Sequence, residues 1–193
     1  MWRVLLYINT TTVACFLATV TALAWAAART TCTNARQVGF TARVLLALWV
    51  VLVAAATLAP TQAFGTSGHT IWWMPGEGLW SPGSMLLPEE RAMIVRLQIA
   101  NATMFVPVGA LSAFVCRRAP GVLRTTAWSA TASTLIEVLQ YAMAAGRVVD
   151  IDDILLNTTG ALTGSAIATA CLTAAAHHTR PTRTHRAPRT GSQ

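Results

Sequence analysis

The chain has 193 residues, of which 54% are hydrophobic and only 11% charged, and its mean hydropathy is +0.51. A soluble domain is about 25% charged, so this composition excludes an ordinary soluble domain and indicates that the chain folds in lipid. The net charge of +7 arises from fourteen arginines against seven acidic residues.

Five apolar runs are long enough, at about 20 residues each, to cross a hydrocarbon core of about 30 Å. They cover residues 4–28, 44–64, 99–116, 122–144 and 154–176. Asn9-Thr10-Thr11-Thr12 interrupts the first run, and the fifth is rich in Ala, Thr and Gly. The sequence therefore predicts an all-α integral membrane bundle of about five transmembrane helices.

Arginine is concentrated in residues 29–43, in the loop after the third run and in the tail. Short loops rich in arginine stay in the cytoplasm, which places the amino terminus outside and the carboxy terminus inside. The predicted order is a first transmembrane helix at 1–28, a cytoplasmic basic loop at 29–43, four further transmembrane helices within 44–176, and a disordered basic cytoplasmic tail at 177–193. A cleaved signal peptide is the alternative for the first run, since Ala22-Leu23-Ala24 resembles a cleavage site.

The predicted outer loop, residues 65–98, holds Trp72, Trp73 and Trp80 among glycines and prolines. Tryptophan favours the level of the lipid headgroups, so this loop is expected to lie on the outer interface. Alternatively it covers a site, and His69 and Glu77 are then further site candidates.

The main candidate site is a set of polar residues around the last two runs. Glu137 and Gln140 are three residues apart and share one helix face. A carboxylate at such depth costs about 2.5–3.5 kcal/mol on insertion scales, so a functional role is the default interpretation. Together with residues that spacing brings to the same outer end, these two are predicted to line an outward-facing polar pocket: Asn101, Arg147, Asp150, Asp153 and Asn157.

The acidic run Asp150-Ile151-Asp152-Asp153 admits three interpretations: an ion pair with Arg147 that braces the hairpin, contact with a substrate headgroup, or oxygen ligation of a divalent cation. On its own this run is weak evidence for a metal, and the four cysteines have no metal-binding spacing. We therefore expect no metal, cofactor or disulfide.

Small residues and a proline are predicted to control helix packing. Gly160 and Gly164 form a G-x-x-x-G pattern, which allows close helix approach in lipid. Pro107 is expected to kink the third span, and Gly109 adds slack nearby.

Three segments, NATMFVPVG, LIEVLQ and GRVVDIDDILLNTTGALTG, together resemble the VanZ-like family of bacterial membrane proteins. The matching positions are Asn101, Phe105, Pro107, Gly109, Glu137, Gln140, Arg147, Asp150, Asp153, Asn157, Gly160 and Gly164. The resemblance implies a VanZ-like domain at 44–176 in a bacterial cell membrane, and a link to resistance against the glycopeptide teicoplanin.

Two functions follow as hypotheses. In the first, the pocket binds an envelope component without chemistry, either a lipid-linked cell-wall precursor or the glycopeptide itself. In the second, Glu137, Arg147 and Asp153 form an intramembrane hydrolase or transferase that acts on a lipid headgroup. The lipid bilayer is the expected surrounding partner, and topology accounts for the arginines, so no nucleic-acid partner is expected.

Overall fold

The computed structural model describes residues 9–59, 62–65, 70–80, 86–116, 121–144 and 148–178. Within these ranges five helices and two short strands follow one another, which confirms the predicted all-α class. In order they are α1 (Thr10–Leu58), β1 (Thr70–Trp72), α2 (Glu77–Trp80), α3 (Pro88–Val115), α4 (Gly121–Met143), β2 (Val148–Asp150) and α5 (Ile151–His178).

Helix α1 corrects the predicted loop at 29–43, which is helical. The one residue with non-helical angles inside α1 is Asn34, at φ −131° and ψ 55°. Alanine, arginine and glutamine in this segment favour the helix, and threonine hydroxyls bond to carbonyls of the preceding turn, as Thr31 Oγ1 does to the Ala27 oxygen at 2.7 Å. Arginine therefore marks a kink in a helix here and not a loop.

The polar run at residues 9–12 begins the helix. The Asn9 side chain accepts a hydrogen bond from the Thr12 amide at 3.0 Å, and the Thr12 hydroxyl accepts one from the Asn9 amide at 3.0 Å. This reciprocal pair is a capping box, which satisfies donors that the first turn leaves without partners. The polar residues are therefore a start signal for α1.

The kink at Asn34 divides α1 into two halves, here called α1N (residues 10–33) and α1C (residues 35–58). Along α1N, Thr21 meets Cys171 and Trp25 meets His178, so α1N runs parallel to α5. Along α1C the order is reversed, since Trp49 donates to the Met104 carbonyl at 2.9 Å and the earlier Ala42 lies in the apolar cluster of residues 110–114 of α3.

Helices α3 and α5 are themselves parallel, because Gly160 lies against Ala102 and Gly164 against Val106. The two halves of α1 therefore run in opposite directions.

Within the described chain, α1, α3 and α5 are long and apolar enough to cross a membrane. A straight helix of the 49 residues of α1 would be about 74 Å long, enough for two crossings. Helix α4 occupies the fourth predicted run, but it falls outside this group. Its polar residues lower its average hydropathy, and the structure buries five of them inside the bundle: Thr125, Ser129, Ser133, Glu137 and Gln140.

The strands join two connecting segments at one end of the bundle. Strand β1 pairs in parallel with β2, with Thr70 opposite Val148 and Trp72 opposite Asp150. The segment that carries the tryptophans is thereby attached to the start of α5, next to the acidic run. Trp73 and Trp80 remain largely exposed.

Candidate functional site

All seven acidic residues of the chain lie at the end of the bundle where β1 and β2 pair, here called the acidic end. They occur in α2, in the first turn of α3, near the end of α4, and around the start of α5: Glu77, Glu89, Glu90, Glu137, Asp150, Asp152 and Asp153. The opposite end, at the Asn34 kink, is flanked by exposed Arg29 and Arg36. The bundle thus has an acidic and a basic end.

Glu137 is the deepest of these carboxyl groups, with only 3% of its surface exposed. Its Oε2 accepts a hydrogen bond from the Asp150 amide at 3.2 Å. Since a carboxylate buried in the bundle must be compensated by donors, this contact ties the last part of α4 to the strand that precedes α5.

Asp152 and Asp153 use their side chains to connect other elements to α5. Asp152 Oδ2 accepts from the Gly76 amide at 2.8 Å and from Gln98 Nε2 at 3.1 Å. Asp153 Oδ1 accepts from Asn101 Nδ2. The two carboxylates therefore hold the loop before α2 and the first half of α3 against the start of α5.

Asn157 lies one turn deeper and contacts α4. Its Nδ2 donates to Ser133 Oγ at 2.8 Å, and both residues are buried. Asn157 Oδ1 is buried and has no hydrogen-bond partner within the described part of the chain. The side-chain oxygen of Asn157 is thus an acceptor in the centre of the bundle whose hydrogen-bonding capacity these residues do not use.

Gln140 turns toward a different neighbour. Its Nε2 donates to the Thr57 carbonyl at 2.8 Å, near the end of α1C. This bond links α4 to α1, and it separates Gln140 from the contacts around Asp153. The structure brings Asn101 to Asp153 and Glu137 to Asp150, whereas Asn157 and Gln140 each bond elsewhere.

Among the residues of α4 whose burial is described, all the buried ones are polar. The spacing of three or four residues puts them on one helix face, called the polar stripe of α4: Thr125, Ser129, Ser133, Glu137 and Gln140. Large apolar residues cover the opposite face, with Leu123 74% and Trp128 67% exposed. Helix α4 thus has a polar interior face and a lipid-facing apolar surface.

Sequence reasoning selected Glu137 and Gln140 and missed the rest of this stripe. The signal was present, because Ser129 and Ser133 precede Glu137 at intervals of four residues. Gln98 was also missed. It stands three residues before Asn101, a spacing that puts both on one face of α3.

The carboxyl group of Asp150 has a raised pKa. Burial is the main cause, and together with the nearby negative charges of Asp152, Asp153 and Glu77 it raises this pKa from 3.8 to about 6. The hydrogen bond from the Asp152 amide to Asp150 Oδ1, at 2.9 Å, opposes the shift. Asp150 therefore titrates close to neutral pH.

Two of the predicted site residues, Arg147 and the further candidate His69, lie outside the described residues. Glu77 lies in the loop over the acidic end, where its Oε2 accepts from the Met74 amide at 3.2 Å. Across the described residues, no group of three His, Cys, Asp or Glu side chains is arranged to hold a metal ion. All four cysteines are free.

The packing residues lie between α3 and α5. A Cβ added to Gly109, Gly160 or Gly164 would collide with main-chain atoms of the facing helix. These glycines therefore allow the two backbones to meet directly. Pro107 lies inside α3, which continues through it to Val115.

In chemical terms, the acidic end is rich in acceptors. Ionised carboxylates accept hydrogen bonds and donate none, so they suit ammonium, amide and hydroxyl groups. Much of this capacity is used within the protein, by the amides of Gly76 and Asp150 and the side chains of Gln98 and Asn101. The more accessible carboxylates, such as Glu89, face outward.

Fold and site together define an all-α membrane protein with a buried polar network at one end. A model of the VanZ/LLP1 family matches residues 14–172, a range that includes most of α1, and the chain belongs to this family. Searches of curated proteins and of solved structures gave no match.

Proposed function

We propose that this VanZ-like protein lies in a bacterial cell membrane with its acidic end outside. There it binds an envelope component without chemical conversion and contributes to glycopeptide tolerance, teicoplanin being the antibiotic concerned. The ligand is a lipid-linked cell-wall precursor or the glycopeptide itself. Membership of the VanZ/LLP1 family supports the link to resistance.

The orientation is supported by the separation of charge. Loops rich in arginine stay in the cytoplasm, and Arg29, Arg36 and Arg124 are found toward the end opposite the carboxylates. The acidic end, which carries Arg91 and Arg96 beside seven acidic residues, then faces outside. A ligand from the envelope meets this end first.

Binding is supported above all by the clustering of carboxylates beneath the loop that carries β1 and α2. A peptide antibiotic or a peptide-bearing precursor presents amide and amine donors, for which carboxylate oxygens are suitable acceptors. The Trp72 ring packs beside Gly78, so the loop is folded on itself, and its Gly76 amide bonds to Asp152 at the acidic end. The described residues add no support for the hydrolase or transferase considered above.

The test compares teicoplanin and vancomycin susceptibility in a deletion strain complemented with the wild type, with Glu137→Gln, or with Glu89→Gln. Glu137 accepts from the Asp150 amide inside the protein, and a hydrogen bond to a charged group contributes about 1.5–3 kcal/mol. Glu137→Gln is therefore expected to loosen the acidic end that forms the proposed site, to weaken binding about tenfold or more, and to lower teicoplanin tolerance. Glu89→Gln removes the same charge at an exposed position of the same end and is expected to behave as wild type.

The amount of each variant in the membrane is measured in parallel, so that loss of protein is distinguished from loss of function. Unchanged teicoplanin susceptibility on deletion would refute the resistance role. Equal effects of Glu137→Gln and Glu89→Gln would refute the role of the buried carboxylate.

A further inference from the structure

A lateral cleft of about 830 Å³ lies between α1N, α1C and α3, away from the acidic end. Small residues on all three walls, including Ala24, Ala42 and Ala110, leave this space open. Leu23 and Leu48 line it and are 65% and 63% exposed, so the cleft opens to the outside of the bundle. Its volume lies in the range of about 300–1,000 Å³ found for small-molecule sites.

The lining changes in character along the cleft. Four of its five residues with hydroxyl or amide side chains lie within seven positions of the kink: Thr30, Asn34, Gln37 and Thr41. The fifth is Thr19. The hydroxyls of Thr19 and Thr30 bond to carbonyls of their own helix, so Asn34 and Gln37 are the amide side chains of this set. Toward the middle of the membrane the walls are leucine, alanine and aromatic residues. The cleft is therefore amphipathic along its length.

The polar end of the cleft is also the basic end of the bundle. Arg29 and Arg36 lie on either side of Asn34 in the sequence and are exposed. Neither lines the cleft, and Arg29 borders a second pocket with Trp25 and His178, so both act on the cleft through the charge they place at this end. All seven acidic residues are at the opposite end, so no carboxylate neutralises the positive charge around the kink. The electrostatic field here favours an anion.

We propose that the cleft binds one phospholipid with an anionic headgroup. Its acyl chains lie along the leucine and alanine walls, and its headgroup phosphate lies at the kink, where Asn34 and Gln37 supply amide donors and the two arginines supply charge. This site is separate from the acidic end, and the proposal does not depend on the function proposed above.

A lipid fits these observations better than a second copy of the chain. The opening faces the hydrocarbon of the bilayer, where lipid is always present, and the gradient from apolar wall to basic end matches that of a single anionic phospholipid. In a dimer, the second copy would have to insert a comparable apolar ridge that ends in an acidic group near the kink. The acidic residues of this chain are at the opposite end of the bundle, so a second copy does not provide such a ridge.

The experiment uses the full-length protein, reconstituted in equal amounts of phosphatidylglycerol and phosphatidylethanolamine, then extracted and examined by native mass spectrometry. The wild type is expected to retain one phosphatidylglycerol in preference to phosphatidylethanolamine. Ala27→Leu, which fills the cleft, is expected to lose this lipid, whereas Ala26→Leu, at the neighbouring exposed position outside the cleft, retains it.

A second pair of variants tests the headgroup without altering the packing. Arg29→Gln with Arg36→Gln is expected to reduce the preference for phosphatidylglycerol about fivefold for each arginine removed. Arg124→Gln lies on α4, a helix that contributes no residue to the cleft, so it serves as the control and keeps the preference. Equal retention of both lipids, unchanged binding in Ala27→Leu, or a dimer in place of a lipid adduct would each overturn the proposal.

Discussion

At the scale of single residues, Asp150 couples the acidic end to pH. Because burial raises its pKa to about 6, the folded protein binds this proton more tightly than the unfolded chain, whose Asp150 has the ordinary value of 3.8. The stabilisation is fully present below pH 3.8 and is lost as the pH rises to about 6. The free energy of unfolding contributed by this group therefore falls across that range.

We expect Asp150→Asn to remove this contribution, since asparagine does not titrate and its side-chain oxygen still accepts from the Asp152 amide. The measurement is the thermal unfolding temperature of both proteins in detergent between pH 4 and pH 7. Asp150→Asn is expected to gain stability relative to the wild type as the pH rises. Glu89→Gln, at an exposed site, should retain the wild-type slope. A constant difference between Asp150→Asn and the wild type at every pH would contradict the assignment.

Sequence patterns predicted some of the side-chain contacts at the acidic end and missed others. The meeting of Asn101 with Asp153 followed from their placement at the outer ends of two spans. The contact of Gln140 with the Thr57 carbonyl did not, because a main-chain acceptor on a distant helix leaves no mark on side-chain spacing. The role of Asp152 in holding Gly76 likewise depends on how the loop folds back.

At the scale of elements, the contact between α3 and α5 depends on glycine. A methyl group at Gly164 would overlap main-chain atoms of Val106 and Ala110, which cannot move as a flexible side chain can. We expect Gly164→Ala to destabilise the protein by about 1–3 kcal/mol through overpacking. Unfolding in mixed detergent micelles measures the loss.

Ala170→Ser serves as the matched control for this substitution, because it adds one heavy atom at an exposed position of the same helix. Its stability should equal that of the wild type. If Gly164→Ala were equally stable, α3 and α5 would not be in the direct backbone contact described here.

One element-level prediction was wrong for an identifiable reason. Residues 29–43 were assigned to a loop because arginine is typical of cytoplasmic loops, yet arginine is also a good helix former, and one residue, Asn34, is enough to make the turn. Average hydropathy, by contrast, underestimates how well α4 suits the membrane. An average weighs Ser129 and Trp128 alike, whereas the bundle buries the first and exposes the second.

At the scale of the whole molecule, the separation of acidic and basic ends predicts how the protein sits in the membrane. We expect a membrane-impermeant maleimide to label a cysteine at Glu89→Cys in intact cells. Cys32, which is exposed next to the Asn34 kink, should react only after the cells are opened. Mass spectrometry of single-cysteine variants reads out both sites.

The other native cysteines are replaced by serine in this experiment, and labelling of both variants in opened cells is the control for reactivity. The reverse pattern, with Cys32 labelled in intact cells, would show that the basic end faces outside. The orientation on which the proposed function depends would then be wrong.

The polar stripe of α4 also has a consequence for how the protein is made. A lone α4 would expose Glu137 and the serines to lipid, and the carboxylate alone costs about 2.5–3.5 kcal/mol on insertion scales. Once α5 is beside it, Asn157 bonds Ser133 and the Asp150 amide bonds Glu137, so the stripe no longer faces hydrocarbon. Helix α4 therefore enters the bilayer more favourably together with α5 than before it.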